Sequence, residues 1–347
     1  MPPRDRVALD APSPHPHAAG MITRRTLLGA VGTSALIGSR ARAAPAPAVI
    51  DNAGTLAPPS SVSYVIPLIK DQDLERKFAL DYKPRLYTDT GALYADFAAG
   101  KNQSMMSGLY NAANFRVRGM PVQILFTLVT SNHAVVSKDP AIRAPEDLKG
   151  KTIAATTSSG QWGLVTLFLK QFGLDPRRNI DVVNASPPAV ETQLLAGRVD
   201  AGVLWDPALS NMLTSGYHLV GDMNGTVRKA LGMASDAPVW FLGAYGREAW
   251  IAEDPARNQR FLEMFQAAVD FYYREPERSD RVISAFTKIP VAALKFSRDH
   301  AFAEYRVIPA IREKANLAKT FEGFKDAGFL TAIPGDELYY PWPGLKA

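Results

Sequence analysis

Cysteine is absent from all 347 residues. That excludes a disulfide framework, a thiolate metal site and a lipid-bearing cysteine at a processing point. No uninterrupted apolar run is long enough to cross a bilayer and remain there, so a stable membrane anchor is not expected. Histidine is scarce. Beyond His15 and His17 in the amino-terminal extension, only His133, His218 and His300 remain, far apart and without an acidic or histidine partner at ligand spacing. No metal and no other cofactor is expected on that pattern. A G-x-S-x-G elbow is also missing, which leaves a serine hydrolase of that kind unsupported. Gly150-Lys151-Thr152 ends like a phosphate-binding loop, but the glycine required five positions earlier is Pro145 and the segment leads into a strand. It is not read as a nucleotide site.

A strong charge of either sign is lacking too, once the first 43 residues are set aside. Thr23-Arg24-Arg25-Thr26-Leu27-Leu28 is followed by an apolar stretch through Ile37 and then by Ala41-Arg42-Ala43, which reads as a secretory signal cleaved near Ala43/Ala44. The paired arginines suit the twin-arginine route, and equally the charged start of a Sec signal. Residues 1–20 precede a second methionine, Met21, and are read as upstream readthrough or an extended charged start. Removing residues 1–43 leaves 33 basic side chains against 32 acidic ones. With the excess gone, no electrostatic case remains for nucleic acid or an anionic membrane surface. The expectation is a soluble, monomeric protein of a periplasm-like space.

What is present is an alternation of short strands and helices. Residues 44–60 are rich in Ala and Pro and read as a flexible leader. Strands are expected at 62–66, 85–87, 104–106, 122–129, 134–137, 152–155, 180–183 and 199–204, with helices at 73–80, 91–99, 162–172 and 189–196. That is the grammar of a parallel α/β sheet, and the length favours two such lobes. The order helix, glycine, strand, turn, helix occurs around both Gly100 and Gly197. Aligning them sets Ser107-Gly108 opposite Leu204-Trp205, both at carboxyl ends of strands, where open α/β sheets bind ligands. Beyond residue 255 the chain reads as helical, with Phe261, Phe265, Val269 and Tyr272 spaced as a core-facing stripe.

Two constellations could hold a ligand. Thr156-Thr157-Ser158-Ser159 with Gly160 joins a strand to a helix amino terminus, whose free N–H groups and partial positive charge suit an anion. Gln161 and Trp162 are placed at the rim of that corner. The alternative is that Ser159 only caps the helix. In the second, Trp205-Asp206-Pro207, the tryptophan could stack on a ligand while Asp206 holds a donor or simply starts a helix at the N-cap position with Pro207 behind it.

The segment Asp147-Leu148-Lys149-Gly150-Lys151-Thr152-Ile153 through Ser158-Ser159-Gly160, with Leu194-Leu195-Ala196-Gly197-Arg198-Val199-Asp200-Ala201-Gly202-Val203-Leu204-Trp205-Asp206-Pro207, resembles the periplasmic solute-binding proteins for nitrate, sulfonate and taurine, the SsuA/THI5-like group of ABC-transporter receptors. The resemblance is strong over residues 147–210 and recognisable from about 90 to 275. It implies the type 2 periplasmic-binding-protein fold, two α/β lobes joined by two crossover segments with the ligand cleft between them. The crossings are expected near 133–138 and 239–245, giving lobe 1 as 61–138 and 241–347 and lobe 2 as 139–240. It also implies a permease and its ATPase as partners, with Ser158, Ser159, Gly160, Gln161, Trp162, Trp205, Asp206, Ser107, Gly108, Pro67 and His133 around the ligand. The ligand expected is a small organic anion or zwitterion, sulfonate- or taurine-like or an aromatic carboxylate. A neutral heterocycle such as a pyrimidine is the alternative. The region around Pro67 is more charged than the family's usual helix start, and Gln103 stands where the family has an acidic residue, so nitrate, sulfonate or taurine is not carried over directly. Rival readings are a ligand-sensing receptor for a membrane kinase and an enzyme like the family's pyrimidine synthases. The latter use iron and a cysteine-rich motif, which this sequence does not provide.

Overall fold

The computed structural model describes residues 47–50 and 53–344. The export signal and its cleavage point lie outside the described residues. The chain opens with β1 (Ala48–Ile50) and β2 (Ala53–Leu56), a 3₁₀ turn over Ser61–Tyr64, then α1 (Val65–Asp71) and α2 (Leu74–Lys77). There follow β3 (Leu80–Tyr82), β4 (Arg85–Tyr87), α3 (Thr90–Ala98), β5 (Ser104–Gly108), α4 (Leu109–Val117) and β6 (Val122–Thr130). The middle of the chain forms β7 (His133–Ser137), β8 (Thr152–Ala155), α5 (Gln161–Lys170), β9 (Asp181–Asn184), α6 (Pro187–Leu195), β10 (Ala201–Trp205), α7 (Ala208–Thr214), β11 (His218–Leu219) and α8 (Met223–Ala230). The remainder is β12 (Trp240–Arg247), α9 (Glu248–Glu253), α10 (Pro255–Arg274), α11 (Pro276–Thr287), α12 (Val291–Asp299), β13 (Tyr305–Pro309) and α13 (Lys314–Asp326).

Two sheets carry these elements. One has the order β13-β6-β12-β5-β2-β4 and the other β11-β7-β10-β8-β9, while β1 and β3 make a small parallel pair. Strands β5, β2 and β4 run parallel, as do β10, β8 and β9, and β12 and β7 enter antiparallel. The chain therefore leaves the first sheet after β6 and returns to it with β12. Of residues 133–138, expected as a crossing, His133–Ser137 form β7 of the second sheet, and the passage is made by Ser131 and Asn132. Residues 239–245 likewise belong mostly to β12, and the return crossing precedes them.

The expected leader is a correction. From Ala48 onward it forms β1 and β2, and β2 sits inside the six-stranded sheet between β5 and β4. Its small residues concealed it. A side chain at Gly54 would come within 2.8 Å of Leu93, so the strand needs what a composition rule reads as loop. Residues 62–66 are also helical rather than extended. Every residue from Ser61 to Ile69 is buried, so the segment lacks the apolar-polar alternation that separates the two periods. Pro67, at the third position of α1, falls where a helix leaves its N–H groups unpaired anyway.

The stripe on α10 is core as expected. Phe261 and Phe265 are almost fully buried and pack on Phe126 of β6 and Tyr82 of β3 with ring centroids 5.5–5.7 Å apart. Burying each such ring contributes about 1.5–3 kcal/mol. Gly100 and Gly197, with φ of +80° and +63°, close α3 and α6 in the left-handed region, so the repeated helix-glycine-strand order is a repeated piece of structure.

Candidate functional site

A cavity of about 290 Å³ opens where strands of both sheets end. From the first sheet, Leu56 ends β2 with Ala57 to Ser60 after it, and Tyr87 ends β4 with Thr88 to Thr90 after it. From the second, Thr156 and Ser158 follow β8, Asn184 to Pro188 end β9 and begin α6, and Trp205 ends β10. Each wall is thus the carboxyl end of a parallel strand, the edge at which open α/β sheets accept ligands. The two sides meet at Thr90 and Ser158, whose hydroxyls lie 3.5 Å apart. Pro58, Pro59, Pro187 and Pro188 make much of the remaining wall rigid and apolar.

The hydroxyl run divides. Thr156 donates to the carbonyl of Ala185 at 2.8 Å, Thr157 to Asn184 Oδ1 at 2.8 Å, and Ser159 to the carbonyl of Thr156 at 2.8 Å. Three of the four therefore fix the turn after β8, and Ser158 alone reaches across to the other sheet. The first backbone N–H groups of α5 are engaged as well, Trp162 N on Ser159 O and Gly163 N on Gly160 O. Gly160 is pressed against the Tyr110 ring of α4. A Cβ there would lie 2.8 Å from it, so the two lobes touch at this point.

Trp205 lines the cavity and is only 8% exposed. It is the register partner of His133 in the β10/β7 ladder, and the two rings lie 5.2 Å apart. On its other side His133 meets the edge of Phe241 of β12, 5.0 Å away, so the imidazole is held between the two sheets. Burial pulls its pKa well below the usual histidine range, and the ring is neutral. Neither ring nitrogen has a hydrogen-bond partner.

Asp206 turns away from the cavity. It is fully buried and accepts hydrogen bonds from the N–H and hydroxyl of Ser210, at 3.3 and 2.6 Å, and from the hydroxyl of Ser297 on α12. Burial raises its carboxyl to about 6, against the lowering effect of the Ser210 bonds. The helix behind it, α7, starts one residue later than expected, with Pro207 at the N-cap position.

Other expected site residues are elsewhere. Pro67 is buried in the α1 core and does not line the cavity. Trp162 faces a different depression, of about 450 Å³, with Lys170, Arg177 and Phe329. Ser107 is buried at the end of β5 with its hydroxyl 3.1 Å from that of Tyr94, and Gly108 packs under Asn111 and Phe241. Gln161, buried at the start of α5, leaves Nε2 without a partner. Sequence reasoning missed Tyr87, Thr90 and Asn184. Their positions at and just after the end of β4 and at the end of β9 were the available signal. Among the described residues no group of three His, Cys, Asp or Glu side chains is placed to hold a metal ion, and no helix is long and apolar enough to cross a membrane.

A family model for NMT1/THI5-like proteins matches residues 86–279. A binding protein of Brucella abortus (strain 2308) is 22% identical over 233 residues, covering 66% of this chain and 69% of that protein. The taurine-binding periplasmic protein of Escherichia coli (strain K12) is 30% identical over 99 residues, 28% of this chain and 30% of that protein. Among solved structures, the alkanesulfonate-binding protein SsuA from Xanthomonas axonopodis pv. citri, bound to MOPS, superposes with a TM-score of 0.67 at 20% identity, covering 85% of this chain and 97% of that one.

Proposed function

The chain belongs to the NMT1/THI5-like family and has the two-lobed periplasmic-binding-protein fold, and from that premise we propose that it captures a small organic solute as the extracytoplasmic component of an ABC-type importer. The observation that carries the proposal is the cavity at the converging carboxyl ends of β2, β4, β8, β9 and β10, walled by both sheets. A solute seated there touches both lobes at once and so favours the closed arrangement over the open one. Capture requires no bond to be made or broken, and the proposed role is binding rather than catalysis.

Small-angle scattering of the full chain, before and after saturation with a solute that raises its melting temperature, tests closure. The radius of gyration is expected to fall. An unchanged radius at saturation overturns the mechanism. The proposal also requires export. Amino-terminal sequencing of protein recovered from the cell exterior is expected to start at Ala44, and material still carrying Arg24 and Arg25 counts against it.

A further inference from the structure

The crossing from the first sheet to the second is Ser131-Asn132, which leads into His133 at the start of β7, and all three are buried, at 4%, 1% and 2% exposure. Buried crossings normally satisfy their polar groups within the protein. Here Ser131 Oγ, both amide atoms of Asn132 and both ring nitrogens of His133 have no partner, and Gln161 Nε2 at the start of α5 has none either. Each such atom is costly when desolvated and unpaired. His133 adjoins Trp205, which lines the cavity, and Gln161 follows three residues after Ser158, which lines it too. The unpartnered set therefore adjoins two parts of the cavity wall, with His133 against Trp205 and Gln161 at the end of the turn that carries Ser158.

The charge of that environment is specific. No lysine or arginine is among the described residues that line the cavity. Its one charged residue, Asp89, already accepts the N–H of Ala92, and the carboxyl of Asp206 is bonded to Ser210 and Ser297 just behind Trp205. The hydroxyls that could have received an anion are mostly committed to the turn after β8. An anion brought out of water into this cavity has no cation to meet, and an unpaired buried charge is far costlier than an unpaired dipole. What awaits it is a neutral imidazole, with one donor and one acceptor, and amides that offer both.

Resting on the capture reading, we propose that the solute is uncharged, with hydrogen-bond donors and acceptors on one edge for His133, Asn132 and Gln161 and a flat apolar body for Trp205 and the proline walls. It is not the sulfonate or carboxylate that the hydroxyl run first suggested.

Ion-exchange fractions of a small-molecule cell extract test this on the full chain. The extract is split at pH 7 into anionic, cationic and uncharged pools, and taurine, which would travel with the uncharged pool, is assayed separately. Melting temperature is read with each. The uncharged pool is expected to raise it by several degrees, while the anionic pool, the cationic pool and taurine leave it unchanged. Stabilisation by a charged pool or by taurine overturns the uncharged class while capture stands; stabilisation by no pool overturns capture as well. His133→Phe then keeps the ring and deletes both nitrogens. Without solute it is expected to melt at or above the wild-type temperature, and with the uncharged pool at limiting dilution it is expected to need at least tenfold more extract for the same shift. An unaltered titration in that variant removes His133 from the recognition edge and overturns the proposal.

Discussion

At the scale of the residue, neighbours of the same chemistry have been given different work. Ser158 and Ser159 are adjacent hydroxyls, yet Ser159 donates inside its own turn while Ser158 faces Thr90 across the cavity. Ser159→Ala is therefore expected to cost about 1 kcal/mol of stability, the net value of one internal hydrogen bond, and to leave solute affinity intact. Ser158→Ala should stay within about 0.5 kcal/mol of wild-type stability, as substitutions that break no buried interaction do. Chemical denaturation of the two variants side by side checks the contrast; equal losses would mean that the run acts as one unit. The residue types in this run were legible from sequence, but their division of labour was not, because the acceptors Asn184 and Ala185 belong to β9 and the residue after it, 27 to 29 residues further on.

Elements follow the same logic. Helix α5 carries Gly163 in its first turn, a poor helix former that sequence alone leaves unexplained. In the fold it admits the Phe324 ring of α13, and a Cβ at that position would lie 2.1 Å from the ring. Gly163→Ala is accordingly expected to destabilise by about 1–3 kcal/mol despite its better helix propensity, because the packed ring must move. A gain in stability would show that α13 yields easily, and the denaturation midpoint decides. Most strands from β4 to β10 were visible in the sequence, since each is bounded by glycine or polar turns and carries a two-residue period or a short apolar run. Strand β2 and helix α1 were not. The first is built of Ala53-Gly54-Thr55-Leu56 to let Asn102 and Leu93 approach, and the second is buried without a break from Val65 to Ile69. Both are cases in which tertiary packing, rather than local pattern, set the residues. His133 and Trp205 were legible as candidates, but their pairing was not, because it depends on the antiparallel register of strands 72 residues apart.

On the scale of the whole molecule, Asp206 joins the parts. It lies on the second sheet's β10–α7 turn, and its hydrogen bond from Ser297 reaches α12, which follows β12 of the first sheet. Tyr64 and Tyr305 face it from the 3₁₀ turn and β13, with Tyr272 of α10, Asp280 of α11 and Arg298 of α12 beyond them, and Arg298 is already paired with Asp280 at 2.6 Å. Among the described residues no cation is left to offset the carboxylate, and burial lifts its pKa from 3.8 to about 6. A carboxyl that is a weaker acid in the folded state than in the unfolded one binds its proton more tightly when folded. Its contribution is then most favourable below about pH 3.8 and is lost as pH rises through 6. A shift of about two units corresponds to roughly 3 kcal/mol across that window. Surface carboxylates such as the half-buried Asp96 and the exposed Asp147, whose pKa values are lowered by their hydrogen bonds, act in the opposite direction. The informative quantity is consequently the difference between wild type and Asp206→Asn, an uncharged side chain of the same shape. Between pH 4 and pH 7.5 the wild type is expected to lose on the order of 3 kcal/mol of unfolding free energy relative to the variant, measured by urea denaturation at each pH. Parallel curves for the two proteins would mean that Asp206 ionises as freely in the fold as in water, and that the turn linking Trp205 to α12 is wetter than its burial implies.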